Sequence, residues 1–376
     1  MPLRASLPEP ARHPSEPIDL AALSTKIGAE ATRHDAAGSF PTEGFAVLAE
    51  TGLLSGPLLS SERMEDLLYL LAAVGRGDLN VGRIFEGHVN ALQLIALFGS
   101  KAQQNRYQAE ARRGCIFGVW NTDAPGKPLA IEDGALVGAK NFASGVDGLS
   151  HAIVTVEEAE GRQMLIVPVD DRPVDRSWWR PLGMKASGSH VVDFSGVEVA
   201  PDWFLGRPGD YVRQPWFSAG AIRFAAVQLG GAHAVLDAAQ AHLTRTGRAD
   251  NPYQAHRLGE MALAVEGGYG WISRAAEAWR RGCLGGASEV EQEQATATAN
   301  AMRIAIEKLA MEVLATAERA VGAAGLMQPH PLERLDRDLR TYLRQPNPDG
   351  ALAAVGEALA DGRFVLGRPS REIVGC

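Results

Sequence analysis

The hydrophobic period of this chain changes twice, and a sequence that does so cannot settle into one all-helical or one all-β architecture. Between about residues 19 and 114 apolar side chains recur one helical turn apart, as with Leu67, Leu68, Leu71 and Val74, and again with Leu92, Ile95 and Ala96. From about 115 to 205 the pattern shortens to runs rich in valine, isoleucine and phenylalanine: CIFGVW, ALVGAKNFAS, HAIVTV, QMLIVPV and VVDFSGVEV. Such runs, bounded by glycines and acidic turns, predict five or more short strands of a small barrel or sandwich. Helical spacing returns over 219–244, 254–281 and 288–321. In the last stretch Ile304, Ile306, Leu309, Met311 and Leu314 place apolar groups around much of the girth, the mark of a helix buried in a bundle. Ser288, with Glu291 three residues on, predicts its capped start.

Helices, then strands, then helices define an α+β chain. Its divisions are read as a proline-rich, disordered tail over 1–17, an N-terminal helical domain over 18–114, a middle β-domain over 115–206 and a C-terminal helical bundle over 207–376. The 376 residues carry 37 Lys+Arg against 45 Asp+Glu, a net charge of −8, which argues against a nucleic-acid partner. Cys115, Cys283 and Cys376 are far apart, fit no metal-ligand spacing and predict free thiols in a reducing compartment. No uncharged apolar run reaches the roughly 18–20 residues of a membrane span, and the N-terminus is proline-rich where a signal peptide is apolar, so the expected location is cytoplasmic.

Familiar catalytic signatures are missing: there is no GxGxxG after a strand, no GK[ST] phosphate loop, no HExxH and no GxSxG. Two segments carry more. Val119-Trp120-Asn121-Thr122-Asp123-Ala124-Pro125-Gly126 ends an apolar strand in a turn where backbone N–H groups and the Thr122 hydroxyl can face a ligand; a plain strand-ending turn accounts for it equally. Lys140-Asn141-Phe142-Ala143-Ser144-Gly145 puts an aromatic and a hydroxyl two positions apart on one face of an extended segment, which suits a flat ring with polar edges, although Phe142 taken alone reads first as core.

In this order the segments resemble the acyl-CoA dehydrogenase superfamily, whose fold is an N-terminal helical domain, a middle β-domain and a C-terminal four-helix bundle. The resemblance spans nearly the whole chain. It includes Phe40-Pro41, the stretch Glu50-Thr51-Gly52-Leu53-Leu54, and the turn Pro181-Leu182-Gly183-Met184-Lys185-Ala186-Ser187-Gly188-Ser189-His190 with the strand VVDFSGVEV after it. It continues through Gly259-Glu260-Met261, Glu318-Arg319-Ala320-Val321-Gly322-Ala323-Ala324-Gly325-Leu326, and Pro331-Leu332-Glu333-Arg334-Leu335-Asp336-Arg337-Asp338. What this implies is a flavin, FAD or alternatively reduced FMN, against Trp120, Asn121, Thr122, Phe142 and Ser144, with Arg319, Gly322 and Gly325 at a cofactor contact between subunits. A homodimer or homotetramer is implied as well.

Removing the α-proton of an acyl thioester requires a carboxylate facing the flavin. Counting from Arg337-Asp338, Pro346 falls where the family usually has its Glu, and the alternative site reads Phe217-Ser218-Ala219-Gly220-Ala221-Ile222-Arg223, again without a carboxylate. Asp349 substitutes only if its loop bulges by three residues. The Lys-x-Phe-x-Ser-Gly wording at 140–145 and the Gly-Ser-His at 188–190 resemble the superfamily's two-component flavin monooxygenases; His190 or Ser144 could then assist oxygen chemistry, although both read first as structural or flavin-positioning. The resemblance therefore implies an FAD-dependent oxidoreductase acting on the CH–CH group of an acyl thioester, with oxygenation by reduced flavin as the alternative and a non-catalytic relative as a third reading. The catalytic candidates are Asp349 and His190, and the implied partner is an electron-transfer protein or flavin reductase.

Overall fold

The computed structural model describes residues 17–55, 63–283 and 285–367. The expected tail, apart from residue 17, and Cys376 lie outside the described residues. Six helices come first: α1 (Leu20–Gly28), α2 (Ala31–Ala37), α3 (Thr42–Glu50), α4 (Met64–Gly77), α5 (Leu79–Phe98) and α6 (Lys101–Arg112). Local chemistry sets several of their starts. Asp19 caps α1 by accepting from the N–H groups of Ala21 and Ala22 at 2.9 and 3.1 Å, Asp78 caps α5 through Asn80 N at 2.7 Å, and Ser100 and Gln103 form a reciprocal cap on α6.

Ten short strands follow: β1 (Phe117–Trp120), β2 (Ala130–Glu132), β3 (Ala135–Val137), β4 (Ala139–Ala143), β5 (His151–Glu158), β6 (Gly161–Pro168), β7 (Val174–Asp175), β8 (His190–Asp193), β9 (Val197–Glu198) and β10 (Phe204–Leu205). They form three small sheets in the orders β1-β5-β6-β10, β2-β3-β9 and β4-β8-β7. β1 and β5 run parallel, with Phe117 opposite His151, and the other pairings are antiparallel. The first sheet is buried on both faces. Ile153, Met164 and Ile166 pack with Leu92, Ile95 and Tyr107 of α5 and α6, while the alternating Ala152, Val154, Leu165 and Val167 enter the main core. That is why the HAIVTV and QMLIVPV runs are continuously apolar.

The C-terminal helices are α7 (Trp216–Ala219), α8 (Ala221–Arg245), α9 (Pro252–Gly282), α10 (Glu289–Val321), α11 (Pro331–Tyr342) and α12 (Pro348–Ala360). The Ser288 cap on α10 forms as the sequence predicts, with the Glu291 side chain reaching back to Ser288 N at 2.9 Å. Among the described residues one helical run, Trp216–Arg245, is long and apolar enough to cross a membrane, and 83% of its most apolar window is buried inside the protein.

Two buried polar devices lock these layers together. His88 on α5 donates from Nε2 to Leu54 O at 2.8 Å and accepts from Phe117 N at Nδ1 at 3.1 Å, so one neutral imidazole ties α5 to β1. Full burial pushes its pKa down to about 4. On α11, Asp338 is fully buried and accepts from Met184 N at 2.5 Å, Arg334 at 3.2 Å and Asn80 Nδ2 at 3.4 Å. Next to it Arg337 bridges Asp35 of α2 at 2.7 Å, Glu333 at 2.6 Å and Leu182 O at 3.2 Å. The turn at Gly183 lies so close to α11 that a Cβ there would sit 2.1 Å from Arg337 O, which only glycine permits. The Glu-Arg-x-x-Arg-Asp wording is thus a clamp of the β-domain onto the helices.

Candidate functional site: a cavity between the β-domain and the C-terminal helices

Lys140 sets the β-domain wall of the site. Its buried ammonium donates to Asn121 O at 3.1 Å, Asp123 Oδ1 at 2.5 Å and Thr155 Oγ1 at 3.4 Å, pinning the turn after β1 against β4 and β5. Burial lowers the lysine's pKa, and Asp123 opposes that shift. Lys140→Met is expected to lower the free energy of unfolding by about 2 kcal/mol, since it strips a buried donor from three acceptors; a urea midpoint equal to wild type would refute this role.

Strand alternation then decides what faces outward. Val119 and Asn121 line a cavity of about 560 Å³, within the roughly 300–1,000 Å³ of small-molecule sites, and Trp120 between them points the other way. Trp120 is buried against Phe194 and donates to Ser144 O at 3.1 Å. It supports the wall from the core and does not line the cavity.

Phe142 is the unusual residue of that wall. It has φ +52, a left-handed backbone costing roughly 1–2 kcal/mol for a bulky side chain, and it stays 47% exposed, edge-on to Trp178 at 4.8 Å. The β4–β8 register is irregular between Lys140 and Ala143. This breaks the expected sharing of one face. Phe142 and the exposed Thr122 line the cavity, whereas Ser144 turns inward, its hydroxyl 2.8 Å from that of Ser189.

Helices supply the other walls. From α5 come Arg83, Glu86 and Asn90; from α7 and α8, Trp216, Phe217, Arg223 and Phe224; from α10, Arg303; and from the end of α11 and the loop beyond, Tyr342, Gln345, Pro346 and Asn347. Arg223 is 3% exposed and binds Asn90 Oδ1 at 2.7 Å and Gln93 Oε1. Glu86 is held between Arg83 at 3.2 Å and Arg223 at 3.7 Å. Burial pushes the Tyr211 phenol up to about 12 and the Tyr342 phenol higher still, so both stay protonated as donors.

The remaining sequence candidates lie elsewhere. Asp349 is exposed in the first turn of α12 and does not line the cavity, although Asn347 and Gly350 on either side do. His190 on β8 is buried opposite Ala143, outside the cavity lining; burial and Arg176 lower its pKa, which keeps it neutral at neutral pH. Arg319, Gly322 and Gly325 stand at the far end of α10. Arg319 borders a shallow hollow of about 210 Å³ with His256 and Arg257, Gly322 caps the helix at φ +81, and Gly325 is buried against Val321 and Leu332. Within one subunit the cofactor residues inferred from sequence therefore fall in two places.

The sequence missed Arg83, Glu86, Asn90, Arg223 and Arg303. A signal existed for the first three: Arg83, Glu86, Asn90 and Gln93 form a polar stripe at helical spacing on a mostly apolar helix.

This three-part arrangement has counterparts. The sequence profile of the acyl-CoA dehydrogenase C-terminal domain matches residues 209–343, the helices that form one side of the cavity. Over those residues the chain is similar to the acyl-CoA dehydrogenase family. The whole chain is 24% identical to a dibenzothiophene monooxygenase of Rhodococcus erythropolis over 403 residues, covering 94% of this chain and 95% of the relative. It is 27% identical to an L-evernosamine nitrososynthase of a Micromonospora species over 357 residues, covering 85% and 83%. The crystal structure of FMN-bound TdsC from Paenibacillus superposes with a TM-score of 0.80 at 22% identity, over 92% of this chain and 97% of that one, which establishes the common fold.

Proposed function

We propose that this flavin-dependent oxidoreductase is a monooxygenase, using reduced flavin delivered by a separate reductase to oxygenate a small molecule in the cavity. The observation that carries the reading is the state of the acid–base groups there. Among the described residues lining the cavity, Glu86 is the one carboxylate, and its two oxygens are already engaged by the guanidiniums of Arg83 and Arg223. The tyrosines are donors, and the loop where a base is expected reads Gln345-Pro346-Asn347. α,β-Dehydrogenation of an acyl thioester, the first reading of the sequence, needs a free base and gives way to the oxygenase alternative. The relatedness to dibenzothiophene monooxygenase supports the same choice.

The residues fit a flavin. The Thr122 hydroxyl is exposed on the β-domain wall without a protein partner among the described residues, beside the open ring of Phe142. A bound reduced flavin would supply the electrons and the activation of dioxygen. Phe142 and Thr122 would hold its ring, Asn121 would border it, and Phe217, Phe224 and Trp216 would exclude water from the reacting face. FMN is favoured by its presence in TdsC, with FAD the superfamily's alternative. A homodimer or homotetramer belongs to the same proposal, supported by Leu263 and Met327, exposed by 76% and 60%.

The test is anaerobic loading with reduced FMN followed by mixing with dioxygen. Reoxidation of bound flavin much slower than that of free flavin supports the reading. Bleaching of bound oxidised flavin by acyl-CoA, or failure to bind flavin in either redox state, overturns it. Phe142→Gly removes the ring and the left-handed strain together. It is expected to weaken flavin binding roughly tenfold while thermal stability holds or rises, a separation readable by fluorescence titration and melting.

A further inference from the structure

Several buried side-chain polar atoms have no hydrogen-bond partner among the described residues, and those on cavity-lining residues are of one kind. Those on cavity-lining residues are Trp216 Nε1, Arg223 Nε, Arg303 Nε and the Tyr342 hydroxyl, all donors. The orphaned acceptors, on Asp78, Asn80, Glu110 and Gln254, belong to residues that do not line it, as do the orphaned donors of Tyr107, Trp179 and Arg334. Charge is as one-sided: three guanidiniums, those of Arg83, Arg223 and Arg303, line the cavity with one carboxylate, that of Glu86, which pairs with Arg83 and Arg223. Arg303 makes no close ion pair among the described residues, Glu307 acting on it only through space; one Nη donates to Pro346 O, and its guanidinium lies over the Phe224 ring at 5.5 Å. Buried donors left without acceptors are unfavourable, so a site that gathers them awaits an acceptor-rich group.

We infer that the cavity selects substrates bearing an oxyanion, a carboxylate or a sulfur oxyacid on an apolar or aromatic body, with Arg303 and Tyr342 as the residues that determine this specificity. The apolar body has Phe217, Phe224 and Trp216 to pack against, and the oxyanion offers several acceptor oxygens to the guanidinium and phenol. The inference rests on the oxygenase reading for the word substrate, but the binding preference is measurable without turnover. A flavin phosphate is the other source of the same chemistry, and the test separates the two.

Binding of benzoate and of its neutral analogue benzyl alcohol is measured by calorimetry on the full chain, with and without FMN. Wild type is expected to prefer benzoate by roughly tenfold to a hundredfold, a preference that weakens with salt. Arg303→Gln is expected to abolish it, and Tyr342→Phe, which keeps the ring and the packing, to reduce it several-fold while leaving benzyl alcohol unchanged. Equal binding of the two probes by wild type, or a preference that both variants retain, overturns the inference. So does a third result, in which Arg303→Gln erases a preference for FMN over riboflavin and leaves benzoate binding intact, because the anion is then the flavin's own phosphate. Loss of oxygenation with the benzoate preference intact would count against the oxygenase reading alone.

Discussion

Asp338→Ala is expected to unfold at a free energy about 3–5 kcal/mol below wild type, because it leaves the buried N–H of Met184 without its acceptor and the half-buried guanidinium of Arg334 with only Asp78, at 3.9 Å. The loss reaches the cavity through a short chain of contacts. Met184 has φ +61 and opens the turn that carries Ser187 and Ser189, and Ser189 holds the Ser144 hydroxyl beside Phe142. Flavin affinity is therefore expected to fall together with stability, whereas Asp338→Asn, which keeps an acceptor oxygen, loses less of both. Urea denaturation and flavin titration of the two variants check this. An Asp338→Ala protein within about 1 kcal/mol of wild type would mean that the clamp does not hold the β-domain against the helices.

The second large effect is a pH dependence. The unfolded chain takes up a proton at His88 near its ordinary value of 6.5, but the folded chain does so only near 4. Its contribution is therefore complete above about pH 6.5 and is lost as pH falls toward 4, a change of about 3 kcal/mol. Protonation puts a hydrogen on Nδ1, where the Phe117 N–H already points. Asp338 acts in the opposite sense: burial raises its pKa to about 6, so the folded state binds that proton first and gains as pH falls. Comparing wild type with His88→Gln subtracts the aspartate's contribution. The difference between their unfolding free energies should narrow steadily from pH 6.5 to 4, and a constant difference would exclude His88 as its source.

What the sequence made legible was local or periodic. The α10 start needed only Ser288 and Glu291, and the β-domain needed only the change of period. The site was less legible, for reasons that differ by residue. Trp120 was grouped with its neighbours Asn121 and Thr122, yet strand alternation turns it into the core. Phe142 and Ser144 were put on one face because an extended segment was assumed, and a left-handed residue in the middle of that segment separates them. Glu86 and Arg223 are ordinary charged helix residues until folding sets them 3.7 Å apart across residues distant in the chain. Arg319 and the glycines near it were joined to the flavin residues by resemblance alone, and within one subunit nothing among the described contacts brings them to the cavity.

The walls of the cavity run from Arg83 to Ala354, so its enclosure closes late. As the chain leaves the ribosome, α5 and the sheet emerge well before the loop at 345–347 and α12 are made. Through that interval Phe142 and Phe217 border a groove that still lacks the wall formed by residues 345–347 and α12. A chain ending before residue 345 is therefore expected to leave those two rings more open to water than the full chain does, a difference read by binding of a dye specific for apolar surface.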